Sequence, residues 1–311
     1  MLLRIDTMSV RPDAFRRCLI LTGPTGSGKS ALAVQHAPRL NAEIVCMDSM
    51  TLYRGMDIGT AKPTPAERAA VRHHLLDVLQ PSESASVAWW LAQAAQAVAD
   101  IERRGKQALL VGGTVLYLKA VQHGLLEAPP ADESLRRQLQ HQAERQGTQA
   151  LHAQLAAVDP VAAQRIHPHN VRRVIRALEV YQLTGQPLSH LQAQWNQPVA
   201  DEGRILCLTL PRETLYARIN ARVDAMLAAG LLEEVRHLRQ GPISREAAQA
   251  LGYKELFAYL DGQISLEVAV EQIRTRSRQF AKRQLTWFRH LQGCRMVEEM
   301  LTDGPWQTRI T

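Results

Sequence analysis

Residues 23 to 30 read Gly23, Pro24, Thr25, Gly26, Ser27, Gly28, Lys29 and Ser30, which is the spacing G-x-x-x-x-G-K-[ST]. Glycines without a Cβ let successive backbone N–H groups curl around phosphate oxygens, and the start of a following helix adds the positive end of its dipole. In this reading Lys29 neutralises the terminal phosphate and the Ser30 hydroxyl holds Mg2+. The motif is silent on which bond breaks. A kinase or ATPase fits it, and so does an enzyme that expels diphosphate. The plainer alternative is a glycine-rich turn that caps a helix.

An acidic group at the end of a neighbouring strand would complete the Mg2+ shell or act as a base. Asp48 stands in such a place, after the apolar run 43–47 and before Ser49, Met50 and Thr51. A strand-end Asp also serves as a turn former or helix cap, so position alone does not assign it.

The elements needed to hold these residues are visible as short apolar runs. Residues 18–22 run into the glycine loop, 43–47 end on Asp48, and 108–111 end on Gly112, Gly113 and Thr114. Runs that finish on glycine or polar turns suit buried parallel strands whose C-terminal ends line a ligand crevice. Residues 30–40 and 87–104 read as helices between them. The expected fold is therefore α/β, a P-loop NTPase-like parallel sheet. Beyond Gln122 the texture becomes Gln-, Ala- and Arg-rich, broken at Pro129-Pro130, Asp159-Pro160 and Gly185-Gln186-Pro187, and the next strand-like run is 205–210. The expected organisation is a first core segment over 1–121, an inserted helical domain over 122–204 and a second core segment over 205–311 with a basic C-terminal helix.

With 46% hydrophobic and 22% charged residues in a chain of 311, disorder is excluded and a sizeable core is possible. The longest apolar runs fall far short of the ~18–20 residues of a membrane span. The N-terminal residues Arg4, Asp6, Arg11 and Asp13 leave no apolar signal core. Cys18, Cys46, Cys207 and Cys294 are scattered and read as reduced thiols of a cytosolic protein. His73 and His74, expected just before a strand, lack a third ligand at metal-binding spacing. The Trp89-Trp90 pair lies in an Ala-rich helical pattern and reads as packing. The net charge is +7, of which +4 falls between Arg165 and Arg176 and +6 between Arg274 and Arg289, leaving −3 for the rest. Charge concentrated in two acid-free segments points to phosphates or a nucleic acid.

Longer stretches carry a resemblance. DSMTLYRGMDIGTAKP from Asp48, HHLLDVLQP (73–81), GGTVLYLKA (112–120), RRVIRALEVYQLTG (172–185), INARVDAMLAAGLLEEV (219–235), ALGYKE (250–255) and AKRQLTWFR (281–289) closely resemble the tRNA dimethylallyltransferases, also called tRNA isopentenyltransferases or IPP transferases. The matches run in order from residue 19 to about 290. The resemblance implies transfer of a dimethylallyl group from dimethylallyl diphosphate to the N6 amine of the adenosine immediately 3′ of a tRNA anticodon. It implies a catalytic-site role for Thr114 and, with the chemistry below, for Asp48, and it places Arg222 near the diphosphate. The segments matching tRNA contacts are Asp48, Ser49, Met50 and Thr51; Arg172, Arg173, Val174, Ile175 and Arg176; Gln249, Ala250, Leu251, Gly252, Tyr253 and Lys254; Lys282, Arg283, Gln284, Leu285, Thr286, Trp287, Phe288 and Arg289; and Arg136 alone. The family commonly has Gln where this chain has Thr51, and residues 167–170 depart from its usual Pro-Asn-Asp pattern. A cytoplasmic monomer that binds tRNA by the anticodon stem-loop, without a membrane, is the expectation.

Elementary chemistry makes sense of the parts. An allylic diphosphate ionises readily when its leaving group is charge-stabilised, so a phosphate loop with Mg2+ can assist departure of diphosphate. The adenine N6 lone pair is delocalised into the ring, so a carboxylate that accepts its proton as the C–N bond forms is useful. The target base must leave its stack, which requires a grip on the flanking backbone. On a wheel of 100° per residue, Arg274, Arg278, Lys282 and Arg289 share one face, whereas Ile273, Phe280, Trp287 and Leu291 share another, on which the helix should dock. A prenyltransferase acting on free adenine nucleotides would need neither the insertion nor the basic segments.

Overall fold

A computed structural model describes residues 10, 12–125, 128–192, 195 and 203–298. Residues 1–9 and 11, which hold most of the N-terminal stretch read above, and the end of the second core segment, 299–311, lie outside the described residues. Two compact units are present, Met1–Gly124 with Val199–Thr311, and Leu125–Pro198.

In chain order the first unit contains β1 (Leu19–Thr22), α1 (Lys29–His36), β2 (Ala42–Cys46), α2 (Pro65–Ala70), β3 (His73–His74), α3 (Val87–Arg103), β4 (Gln107–Val111) and α4 (Val115–His123). The second unit holds α5 (Glu133–Gln146), α6 (Thr148–Val158), α7 (Pro160–Arg165), α8 (Val171–Thr184) and α9 (Leu188–Leu191). The first unit then resumes with β5 (Ile205–Thr209), α10 (Arg212–Ala228), α11 (Leu231–Leu238), α12 (Arg245–Ala248), α13 (Tyr253–Leu260), α14 (Leu266–Arg289) and β6 (Cys294–Glu298). The six strands form one sheet in the order β3-β2-β4-β1-β5-β6, parallel throughout. The expected α/β fold with a parallel sheet is therefore present. Every residue of β2 and β5 is buried, which is why 44–46 and 205–208 read as apolar runs. Trp90 is fully buried, donates to the Cys46 carbonyl and stacks on Tyr117, so it belongs to the packing. All four cysteines are free thiols, three of them buried.

Two local expectations need correction, and one strand was not foreseen. The helix expected over 30–40 ends at His36: Ala37 keeps helical backbone angles, but Pro38 has no N–H to continue the ladder. His73 and His74 do not precede a strand; they are β3, paired with Ile44 and Val45 and ended by Leu75 and Asp77 at φ 58 and 56. The edge strand β6 has no apolar run to announce it, since most of its side chains are exposed.

Beside β3, the Glu43 side chain, only 4% exposed, receives His74 Nε2 at 2.7 Å, Arg104 Nη2 at 2.6 Å and Lys106 Nζ at 3.2 Å, with Arg72 Nε at 3.9 Å. Burial alone would raise its pKa, yet bonds from His74, Lys106 and Arg104 outweigh it and hold the carboxyl at about 2, against an ordinary 4.5. A depressed carboxyl stabilises the fold above its unfolded pKa, and that stability is lost as pH falls from about 4.5 toward 2. Glu43→Gln is expected to flatten this acid limb and cost ~3 kcal/mol at neutral pH, read by urea unfolding across pH.

Candidate active site

The end of β1 is tied to the end of β4, Thr22 Oγ1 donating to the Gly112 carbonyl at 2.9 Å. The phosphate loop follows. Gly28 adopts φ 91 at the N-cap of α1, a left-handed conformation that a Cβ would strain, and the helix opens on Lys29. Lys29 Nζ donates to the Pro24 carbonyl at 3.4 Å. Burial pushes its pKa down to about 8, opposed by the Asp48 carboxylate and assisted by the Arg222 charge. Arg222, on α10, donates from Nη2 to Thr25 Oγ1 at 2.7 Å. Its Nε and the Ser27 hydroxyl are buried without a hydrogen-bond partner among the described residues. Buried polar groups rarely stay orphaned, and one such group in the phosphate loop with another on the arginine bonded to it suits an anionic ligand.

Asp48 follows β2. Its Oδ1 accepts from the Met50 N–H at 2.9 Å, which closes the turn, and the Ser49 N–H donates to Thr114 Oγ1 at 3.1 Å. The Thr114 N–H in turn donates to the Met47 carbonyl at 3.3 Å, so the ends of β2 and β4 interlock. One cleft is lined by the polar or charged side chains of Thr25, Lys29, Ser30, Asp48, Thr51, Thr60, His73 and Arg222 together with the apolar Ala33, Ile44, Cys46, Ala61, Pro63 and Val111. Asp48 is the only carboxylate among its described lining residues. Thr114 does not line it; its contact with the Ser49 N–H fixes the segment that carries Asp48. No group of three or more His, Cys, Asp or Glu side chains is placed to hold a metal among the described residues. The cleft instead offers hard oxygens, the exposed Ser30 hydroxyl and Asp48, which fits a cation such as Mg2+ that keeps waters and phosphate oxygens in its shell.

A family model described as IPP transferase matches residues 51–291. The chain belongs to the IPP transferase family. It is 50% identical to a tRNA dimethylallyltransferase of Geobacter metallireducens over 278 residues, covering 88% of this chain and 89% of the relative. The tRNA dimethylallyltransferase of Bacillus subtilis is 46% identical, with 88% and 87% covered. Among solved structures, the tRNA isopentenylpyrophosphate transferase of Bacillus halodurans aligns with a TM-score of 0.66 at 44% identity, covering 91% of this chain and 90% of that one. A eukaryotic dimethylallyltransferase acting on tRNA aligns with a TM-score of 0.76 at 29% identity, covering 94% and 77%.

Within this IPP transferase the residues expected to touch tRNA divide by exposure. In the first unit Gln249, Lys254, Lys282, Arg283, Thr286, Trp287 and Arg289 are exposed. Thr51, Ala250, Gly252, Tyr253, Gln284 and Phe288 are buried, although Thr51 still lines the cleft. Thr51 Oγ1 is engaged with the Asp48 carbonyl at 3.3 Å. Gln284 reaches inward instead: its Oε1 accepts the Thr25 N–H at 2.9 Å and its Nε2 donates to the Gly113 carbonyl at 2.8 Å. It spans the phosphate loop and the end of β4, a role that spacing along the chain did not reveal.

The expected docking face of α14 holds at Ile273 and Leu291, which are buried, and not at Phe280 and Trp287. The helix buries Ala269, Ile273, Ser277, Ala281, Gln284 and Phe288, whereas Phe280 and Trp287 stand 40% and 36% exposed. Small residues allow close approach, and the two rings are left at the flank, where Arg283 lies over Phe280 and Lys119 over Trp287. The basic stripe is shorter than the wheel implied. Arg274 pairs with Asp224 and Glu271, Arg276 with Glu255, and Arg278 with Glu271. Lys282, Arg283 and Arg289 have no carboxylate partner among the described residues.

In the second unit, Val174 and Ile175 are buried in its core with Leu139, Leu155 and Leu178. Arg136 and Arg176 both clasp the fully buried Glu179, at 2.9 and 2.6 Å, which makes them part of this unit's framework. Arg172 and Arg173 are exposed.

Proposed function

We propose that this protein transfers a dimethylallyl group from dimethylallyl diphosphate to the N6 amine of the adenosine immediately 3′ of the anticodon in tRNA, releasing diphosphate. The observation that carries this reading is a cleft in which a phosphate cradle, one carboxylate and several apolar side chains converge. Gly23–Ser30, Lys29 and Arg222 hold the diphosphate, with Arg222 Nε and the Ser27 hydroxyl gaining the partner they lack. Ser30 would hold Mg2+, which when bound supplies further neutralisation of the departing charge. The C–O bond breaks with its electron pair going to the diphosphate, the N6–C bond forms, and Asp48 accepts the N6 proton. Thr114 keeps the Asp48 segment in place. Arg172 and Arg173 of the helical unit, and Gln249, Lys254, Lys282, Arg283 and Arg289 of the core, serve the tRNA backbone.

The direct test supplies labelled ATP or labelled dimethylallyl diphosphate together with an unmodified anticodon stem-loop. Label from the prenyl donor is expected on the RNA, and transfer from ATP instead would overturn the assignment. A pH profile tests the cradle. Lys29 must be protonated to receive diphosphate, and with a pKa held near 8 it loses its charge as pH rises through that value. The kcat/KM for the donor is expected to fall above pH ~8, because this parameter reports groups of the free enzyme. Lys29→Arg should remove that inflection.

A further inference from the structure

The chain between β2 and α2 walls the cleft through Thr60, Ala61 and Pro63. It has no regular structure of its own, and Ala61 sits at φ 52. An L-residue in that region persists only where its surroundings over-determine it. Two clamps do so. Lys62 donates to the Tyr53 carbonyl and to the carboxylates of Asp57 and Asp77. Glu234 of α11 grips the other side: Oε2 accepts the N–H groups of Asp57 and Ile58 at 2.9 and 2.8 Å, and Oε1 accepts the Gly59 N–H at 3.2 Å and the Tyr253 hydroxyl at 2.6 Å. Three successive backbone N–H groups on one carboxylate form an anion nest, filled here by the protein itself. The Tyr253 ring closes over Gly59, where a Cβ would lie 2.5 to 2.7 Å from ring atoms. Burial and the Glu234 carboxylate push the Tyr253 pKa up, so the hydroxyl keeps its proton and donates.

Tyr253 lies in a segment that the family resemblance assigns to tRNA, yet it is 0% exposed and its hydroxyl is engaged. We propose that Glu234 and Tyr253 are positioning residues of the reaction, holding residues 57–61 so that Ala61 and Pro63, apolar members of the cleft wall, close over the hydrocarbon tail of the donor. This rests on the assignment of the cleft to dimethylallyl diphosphate. Closure has a chemical purpose, because water competes with N6 for an ionising allylic carbon. In that side reaction water forms the new C–O bond, the bond to diphosphate breaks, and the products are the allylic alcohol, diphosphate and a proton.

Tyr253→Phe keeps the ring on Gly59 and removes only the hydroxyl bond, and Glu234→Gln keeps the shape with a weaker acceptor. Either variant is expected to raise the donor KM about tenfold, the scale of one lost hydrogen bond to a charged group. More diphosphate should be released per RNA alkylated, while stem-loop binding by filter assay stays within about twofold. Weaker stem-loop binding with an unchanged donor KM would return Tyr253 to the RNA surface and overturn the proposal, as would no change in any parameter. Lys29→Ala separates the two levels. If it leaves the donor KM unchanged, the cleft is not the donor site and both readings fall; if it raises the KM and Tyr253→Phe does not, only the loop proposal falls.

Discussion

Asp48→Asn is expected to lower turnover by ~10²- to 10⁴-fold, the usual contribution of a positioned general base, with stem-loop binding retained. The substitution is close to isosteric, and an Asn Oδ1 can still accept the Met50 N–H that closes the turn after β2. What disappears is the acceptor for the N6 proton, in a cleft whose described lining contains no other carboxylate. A second signature follows from electrostatics. The Asp48 charge raises the Lys29 pKa against burial and Arg222, so its removal should move the alkaline fall in donor kcat/KM to lower pH. Single-turnover measurement with saturating donor checks the rate, and the pH series checks the coupling. Turnover within about threefold of the starting protein would remove Asp48 from the role of base.

The parts of the site legible in the sequence are those encoded locally. Gly23–Ser30 lie in one turn, Asp48 ends one strand, and each announces itself by its immediate neighbours. What was not legible depends on residues far apart in the chain. Gln284 meets Thr25 and Gly113 across separations of 259 and 171 residues, and in the sequence it looked like one more member of a basic, RNA-facing stretch. Tyr253 was hidden in the same way, since a motif match marks a segment but not the direction of its side chains. The wheel for α14 placed Ile273 and Leu291 correctly but missed at Phe280 and Trp287 for a physical reason: it weighted large apolar residues, whereas the middle of the helix docks where Ala281 and Ser277 permit close packing. Counting charge along the segment 274–289 likewise missed Asp224, Glu255 and Glu271, which lie outside it in sequence and pair with three of its six cations.

That correction sharpens the test of the RNA surface. Lys282, Arg283 and Arg289 are the exposed cations of α14 without a carboxylate partner among the described residues, and inward on the same helix Gln284 holds both the phosphate loop and the end of β4. Reversing the three together, Lys282→Glu, Arg283→Glu and Arg289→Glu, is expected to weaken stem-loop binding by ~10²- to 10³-fold near 0.1 M salt. The slope of log K against log salt should flatten by about 2 to 3, because each lost phosphate contact removes ~0.7 to 0.9 from it. The donor KM should hold, since none of the three lines the cleft. Arg274→Gln and Arg278→Gln, whose charges Glu271 already offsets, should change the slope by less than about 1. If the triple variant keeps the full slope, α14 does not carry the RNA backbone and its basic face is only solvated. If the paired arginines matter as much as the free ones, RNA must displace Glu271 to bind, and the ion pairs of this helix would then be part of recognition.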